Sequence, residues 1–332
     1  MRRLAAVLFA SSVLVVGCTT DQSSSDPLQV AATLEAAKPA VSPAQSTDLH
    51  GQVLPVAGPV SGLALDPSSA TIAVAVDQPP SVQLYALNDL TAAPRSIPLP
   101  APAARLSVSD GKVEAAVPGS NQLVEIAFPA GTATPRHVDG GPSDTTSVGK
   151  RTLITQREAK KLSVLEGDQV KHTINGLTSP DQVLAVGDHA VMLDRLRSAV
   201  FDVDPNSETL GAGLRAGNGA VNAVTDRFGR VLVTDARDGE LMAFSINPVI
   251  MRQRYPVPGT PYGLAYDSKR DLAWVTLTER NEVVGFDVAG GEPVEKYRFA
   301  TVRQPNSVAV DPGSGRVFVA SADQGGMQVI QP

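Results

Sequence analysis

One module, repeated seven times, decides what this chain can fold into. Its fullest copy is residues 261–292, PYGLAYDSKRDLAWVTLTERNEVVGFDVAGGE. An apolar opening at 263–266 runs into an Asp-Ser-Lys-Arg turn and a β-rich run at 272–276. A polar turn (Glu279-Arg280-Asn281) leads to a second β-rich run at 283–288, closed by Gly290-Gly291. Runs this short between turn-forming residues are strands, because none is long enough to bury a useful face as a helix. The same grammar opens at Ser61-Gly62-Leu63-Ala64-Leu65-Asp66, Arg105-Leu106-Ser107-Val108, Thr145-Thr146-Ser147-Val148, Gln182-Val183-Leu184-Ala185-Val186, Val221-Asn222-Ala223-Val224 and Asn306-Ser307-Val308-Ala309-Val310-Asp311. From Asp66 to Asp311 is 311 − 66 = 245 residues over six intervals, a period of about 41.

A period near 41 is the length of one four-stranded antiparallel blade, so residues 48–332 are expected to form an all-β ring of seven blades. The last repeat supplies only three strands, ending at Met327-Gln328-Val329-Ile330, while residues 50–56 form a spare strand at the other end. Pairing the two closes the ring and removes an exposed sheet edge. Aromatic residues make up only 4% of the chain, so Val, Leu, Ile and Ala must fill the space between blades. Trp274, inside a strand, is expected to pack there too.

The runs Ala273-Trp274-Val275-Thr276-Leu277-Thr278-Glu279-Arg280-Asn281-Glu282-Val283-Val284-Gly285-Phe286-Asp287 and Val231-Leu232-Val233-Thr234-Asp235-Ala236-Arg237-Asp238-Gly239-Glu240-Leu241 resemble the YVTN and NHL propeller repeats. Those repeats have a strand ending in Val-Thr-Asn or Val-Ala-Asp, a short polar loop, and a strand ending near Asp. Blades two and three depart most, with Pro118-Gly119-Ser120-Asn121 and Thr155-Gln156-Arg157-Glu158 in place of the usual loop. The resemblance implies a seven-bladed β-propeller; its families contain both binding proteins and enzymes, so fold alone assigns no activity.

Met1-Arg2-Arg3 and the apolar run 4–16 read as a secretory signal, too short to span a bilayer. Val15-Val16-Gly17-Cys18 resembles the bacterial lipobox. That resemblance implies loss of residues 1–17, lipidation of Cys18, and attachment to a membrane of the bacterial envelope on its extracytoplasmic side. Two or three acyl chains would anchor the protein firmly, where one would be marginal. Cys18 is the only cysteine, which excludes an intramolecular disulfide and any cysteine-cluster metal site. Residues 18–47, rich in Ser, Ala, Gln and Pro without an aromatic, read as a flexible tether, with at most two marginal helical turns at 28–37. A net charge of −6 and export both argue against a nucleic-acid partner. The chain is read as a monomer.

Catalytic signatures are missing: there is no His-Glu-x-x-His, Gly-x-Ser-x-Gly or dinucleotide fingerprint. No cofactor is expected from the residues. In a ring of blades, the loop before each innermost strand and the loop between the second and third strands emerge on one face. That face gathers Arg105, Asp181, Gln182, Asn222, Tyr262 and Asn306 around the channel rim. Further out it places Asp77, Arg157, Glu158, Asp194, Arg195, Asp235, Arg237, Glu279, Arg280 and Asp323. Mixed arginines and carboxylates with a tyrosine suit recognition of a protein, peptide or envelope component. The ligand face is therefore expected at Arg105, Arg157, Asp181, Gln182, Asn222, Asp235, Arg237, Tyr262, Glu279, Arg280 and Asn306. A second reading is similar to the calcium-dependent lactonase propellers, with Ca2+ held by Asp181, Asn222 and Asn306. It lacks a matching glutamate, and Arg105 would repel the cation. A third is a scaffolding subunit of an envelope complex.

Overall fold

The computed structural model describes Leu28, residues 34–45 and residues 48–332. The proposed signal and Cys18 lie outside the described residues. Seven four-stranded antiparallel sheets follow one another around an axis. Blade one runs Val60–Asp66, Thr71–Asp77, Pro80–Ala86 and Arg95–Pro98, from the channel outward. Blades two to six repeat this order, opening with Arg105–Ser109, Pro142–Val148, Pro180–Val186, Ala220–Thr225 and Pro261–Asp267.

Blade seven has three strands from the C-terminal end, Pro305–Val310, Val317–Ser321 and Met327–Ile330, and takes its fourth from Gln52–Leu54. The register is Gln52 opposite Val329 and Leu54 opposite Met327, so the ring closes as the sequence predicts. Buried Gln328 fastens the junction: its amide donates to the carbonyls of His50 and Ala300 and accepts from the Val302 amide. A buried amide with all these bonds made ties the residues before the closing strand to blade seven and to the end of blade six.

Strand burial follows position. The second and third strands of each blade are sandwiched by adjacent blades and read as continuous apolar runs, such as Thr71–Asp77 and Leu272–Leu277. Outer strands alternate, as in Ile250–Pro256. The core accordingly divides into interblade clusters, one at each of the seven interfaces. The interface between blades two and three is thin, with Ala116, Leu123, Ile154 and Leu165 at its centre. Polar contacts supplement it, including Ser107 Oγ donating to Asp144 at 2.5 Å.

Two local devices shape the loop face. In six blades the innermost pair carries a register shift close to the start of the inner strand, for example between Val60 and Gly62 or between Ala220 and Asn222. Such a bulge re-aims the residues beside it. Blade two alone has none, and Arg105 pairs regularly with Ala116. The turns between second and third strands need a left-handed residue; Asn121 and Asn281 fill that place at φ 54° and 51°. Asparagine tolerates this conformation, which explains its recurrence in the repeat.

The stretch read as a flexible tether differs from expectation in its described part. Residues 34–45 are non-helical and lie across the loop face of blades four to seven, with Ala37 and Ser42 buried.

Candidate functional site

The loop face has a central cavity and, beside it, the groove that residues 34–45 occupy. Arg105 sets the depth of the channel. Its Nη2 donates to Asn222 Oδ1 at 3.2 Å, and its Nε lies 3.8 Å from the buried Asp144 carboxylate. Burial pushes the Arg105 guanidinium down, Asp144 pulls it back up, and the like charge of Arg195 pushes it down again, leaving it below its ordinary value. Burial pushes Asp144 above its ordinary value, against Arg105 and hydrogen bonds from Ser107, Val183 and Thr145. The Arg105–Asn222 pair borders both a mouth cavity of about 310 Å³ and a second chamber of about 440 Å³.

Of the expected rim residues, Arg105, Asn222, Tyr262 and Asn306 line the mouth, and Gln182 lines the second chamber. Gln182 is buried; it donates to the Ala223 carbonyl and accepts from the Ala223 amide, joining blades four and five. Asp181, also buried, accepts from Ser179 Oγ at 2.5 Å and from the Arg195 amide, with Arg157 Nε 2.6 Å away. Asp235 is fully buried and accepts from the backbone amides of Arg237, Asp238 and Asn218. These three side chains position loops, because their polar atoms are already spent on the fold. Arg237, Glu279 and Arg280 are exposed and Arg157 is partly so. Asp77 and Arg195, expected further out, line the mouth of the channel.

Of the proposed calcium ligands, Asn222 and Asn306 line the mouth cavity and Asp181 does not. Asp181 faces Arg157, Asn222 bridges Arg105 and the Tyr262 carbonyl, and Asn306 accepts from Gln304. Among the described residues, the acidic side chains close enough to share a cation are Asp235, Asp238 and Glu240. Arg254 already pairs with Glu240 at 2.7 Å and with Asp238 at 3.6 Å.

What sequence reasoning missed is the groove. Arg237 Nη2 donates to the Glu35 carbonyl at 2.8 Å and Arg195 Nη2 to the Ala37 carbonyl at 2.7 Å. Gln304 donates to the Ala40 carbonyl at 2.7 Å and accepts from the Ser42 amide at 3.1 Å, as a neighbouring strand would. Thr278 Oγ1 accepts from the Ala40 amide, and the Thr278 carbonyl accepts from Ser42 Oγ at 2.5 Å. Asn281 Nδ2 donates to the Pro43 carbonyl at 3.0 Å. Ala37 packs against Val221, Ala236 and Tyr262, while Val41 is 85% exposed. The contacts thus go mainly to the backbone of residues 34–45, with small side chains enclosed at Ala37 and Ser42. Thr278, Asn281 and Gln304 gave no signal in the sequence beyond membership in polar turns.

Two of the shifted groups, Asp194 and His189, tie stability to pH above about 4. Burial pushes the Asp194 carboxyl up to about 6, although the Arg197 and Ser179 amides bond to it. On His189 burial pushes down, but Asp202, with 2.8 Å between His189 Nδ1 and Asp202 Oδ1, outweighs it and leaves the imidazole above its ordinary value. Both groups hold protons more tightly in the native state than in the unfolded chain. Their contributions therefore favour folding at low pH and are lost on raising it, for Asp194 between about 4 and 6 and for His189 from about 6.5 upward. The melting temperature should fall from about pH 5 to about pH 8, and Asp194→Asn should flatten the lower part of that slope. A steady rise over the same range would contradict the assignment.

No protein-family model matches the sequence, and no curated protein matches it. Solved structures do match in shape. A catalytically inactive virginiamycin B lyase from Staphylococcus aureus, solved with quinupristin, superposes with a TM-score of 0.70 at 11% identity, covering 85% of this chain and 99% of the other. The hydrazine synthase of Kuenenia stuttgartiensis gives 0.69 at 15%, covering 86% and 97%. A chain of the mitotic checkpoint complex gives 0.71 at 9%, covering 90% and 99%. At these identities the likeness defines a class, the seven-bladed β-propeller, and carries no activity with it.

Proposed function

We propose that this protein is an extracytoplasmic bacterial lipoprotein, anchored through Cys18, whose propeller is a non-catalytic module that binds extended polypeptide on its loop face. The observation that carries the reading is the seating of residues 34–45: five side chains and the Thr278 carbonyl bond that segment, mostly at its backbone. Backbone recognition with small-residue pockets is how sheets and grooves take peptides without a long sequence code. The presence of a chain from the mitotic checkpoint complex among similar folds supports a protein partner. The fold's similarity to a lyase at 11% identity supports no particular reaction here.

A labelled peptide copying residues 34–45, LEAAKPAVSPAQ, tests the reading. It should bind wild-type protein weakly, because the groove is filled from within. Ala37→Arg, which places a long charged side chain where Val221, Ala236 and Tyr262 close in, should unseat the resident segment and reveal saturable binding. Adding Gln304→Ala should abolish that binding. An Ala37→Arg protein that stays folded and ignores the peptide would refute the proposal. For the anchor, Cys18→Ser should abolish incorporation of labelled palmitate and shift the protein to the soluble fraction.

A further inference from the structure

The mouth of the central channel holds charges that the fold leaves uncompensated. Arg195, from the second turn of blade four, donates one bond to the neutral Ala37 carbonyl, and its buried Nε has no protein acceptor. Among the described residues no carboxylate pairs with its guanidinium. Asp77, at the corresponding turn of blade one, has a buried Oδ1 without a donor and no paired cation among the described residues. Both residues line the same cavity of about 310 Å³. Buried polar atoms without partners are uncommon in native folds, and here two side chains of opposite charge that each carry one border the same cavity.

The surroundings set the sign at each end. Arg105, at the base of the cavity, is close enough to Arg195 for the two guanidiniums to repel. Asp144 answers Arg105 and Asp181 answers Arg157, so the remaining cation is Arg195 and the remaining anion is Asp77. The cavity is therefore near neutral overall but polarised. A simple anion would be attracted by Arg195 and repelled by Asp77. A ligand carrying both charges satisfies both walls.

The geometry points to a site for a small zwitterion of di- to tripeptide size, its carboxylate against Arg195 and Arg105 and its ammonium toward Asp77. Guanidinium and carboxylate match in bidentate geometry, and both bonds strengthen away from bulk water. The volume is that of roughly ten waters, the bulk of a short peptide. Asn222, Tyr262 and Asn306 line the wall as uncharged polar groups for the amide units. The site goes beyond the groove, with which it shares Arg195 and Tyr262.

Calorimetric titration of the full chain with Ala-Ala-Ala tests it. Free tripeptide should bind saturably, while N-acetyl-Ala-Ala-Ala and the C-terminal amide should each bind about tenfold or more weakly. In Asp77→Asn the acetylated and free peptides should bind alike; in Arg195→Gln the preference for free peptide over the amide should shrink several-fold, with Arg105 holding the remainder. Lys150→Gln, exposed at the turn after the inner strand of blade three and outside the cavity, should leave tripeptide affinity unchanged. Absence of binding, or wild-type affinity that ignores both blocking groups, would overturn the proposal. The blocked-peptide comparison needs no variant, so a misfolded substitution cannot obscure it. If LEAAKPAVSPAQ fails to bind the Ala37→Arg protein while the tripeptide binds, the polypeptide-groove reading fails and the channel site stands.

Discussion

Trp274→Ala should lower the free energy of unfolding by about 3–5 kcal/mol, the range for removing a large aromatic from a packed core. Trp274 is only 1% exposed, in the second strand of blade six, and no other tryptophan occurs in the chain. It stacks on Tyr297 with ring centroids 5.7 Å apart and on Phe299 at 6.4 Å. It also belongs to the cluster with Val308, Val310, Val317 and Val319 of blade seven. Gly285 faces it across the sheet, where a Cβ would sit 2.9 Å from Cη2. The indole therefore occupies space that the opposite residue leaves free, and strands sandwiched between blades have little freedom to collapse into the void. The blade it packs against is the one that closes the ring, so the loss falls on the junction between chain ends. Trp274→Phe should be milder, since it keeps an aromatic ring and deletes an indole N–H that is buried without an acceptor. Urea unfolding followed by far-ultraviolet circular dichroism measures both; a loss under about 1 kcal/mol for the alanine variant would show that the interface repacks.

The blades were legible because their information is local and repeated. Alternating turns and short apolar runs fix strands, and a seven-fold period fixes their number. The shortage of one strand at the C-terminus, with a surplus at residues 50–56, led directly to the pairing of Gln52 with Val329. The groove was not legible for the opposite reason. Residues 34–45 are held mainly by their backbone, so Ser, Ala and Pro there carry almost no mark of being bound, apart from small side chains at Ala37 and Ser42. The burial of Asp181, Gln182 and Asp235 was hidden for a related reason. A polar residue at a strand end reads as surface, yet these three are enclosed by loops whose amides and side chains they satisfy. Arg105 lines the mouth as expected, but its contact with Asn222, made from the one inner strand that starts without a bulge, was not foreseen. Register shifts of that kind leave no trace in composition.

Gln304→Ala should release residues 40–42 from the face without unfolding the propeller. Gln304 precedes blade seven and, among the described residues, is the one side chain that both donates to and accepts from the segment's backbone, at the Ala40 carbonyl and the Ser42 amide. Its own amide also donates to Ser42 Oγ, a bond the substitution retains. Each lost bond contributes about 1 kcal/mol, so local opening should become roughly 30-fold more frequent. Hydrogen–deuterium exchange at Ala40 and Ser42 reads this directly, because both amides are protected by named acceptors, Thr278 Oγ1 and Gln304 Oε1. Exchange in Thr71–Asp77, buried in blade one, should not change. If acceleration spreads to that strand, the segment is part of the cooperative core and cannot yield its place to another peptide. If it stays confined to residues 34–45, the segment opens as a unit of its own, which is what exchange with an incoming polypeptide requires.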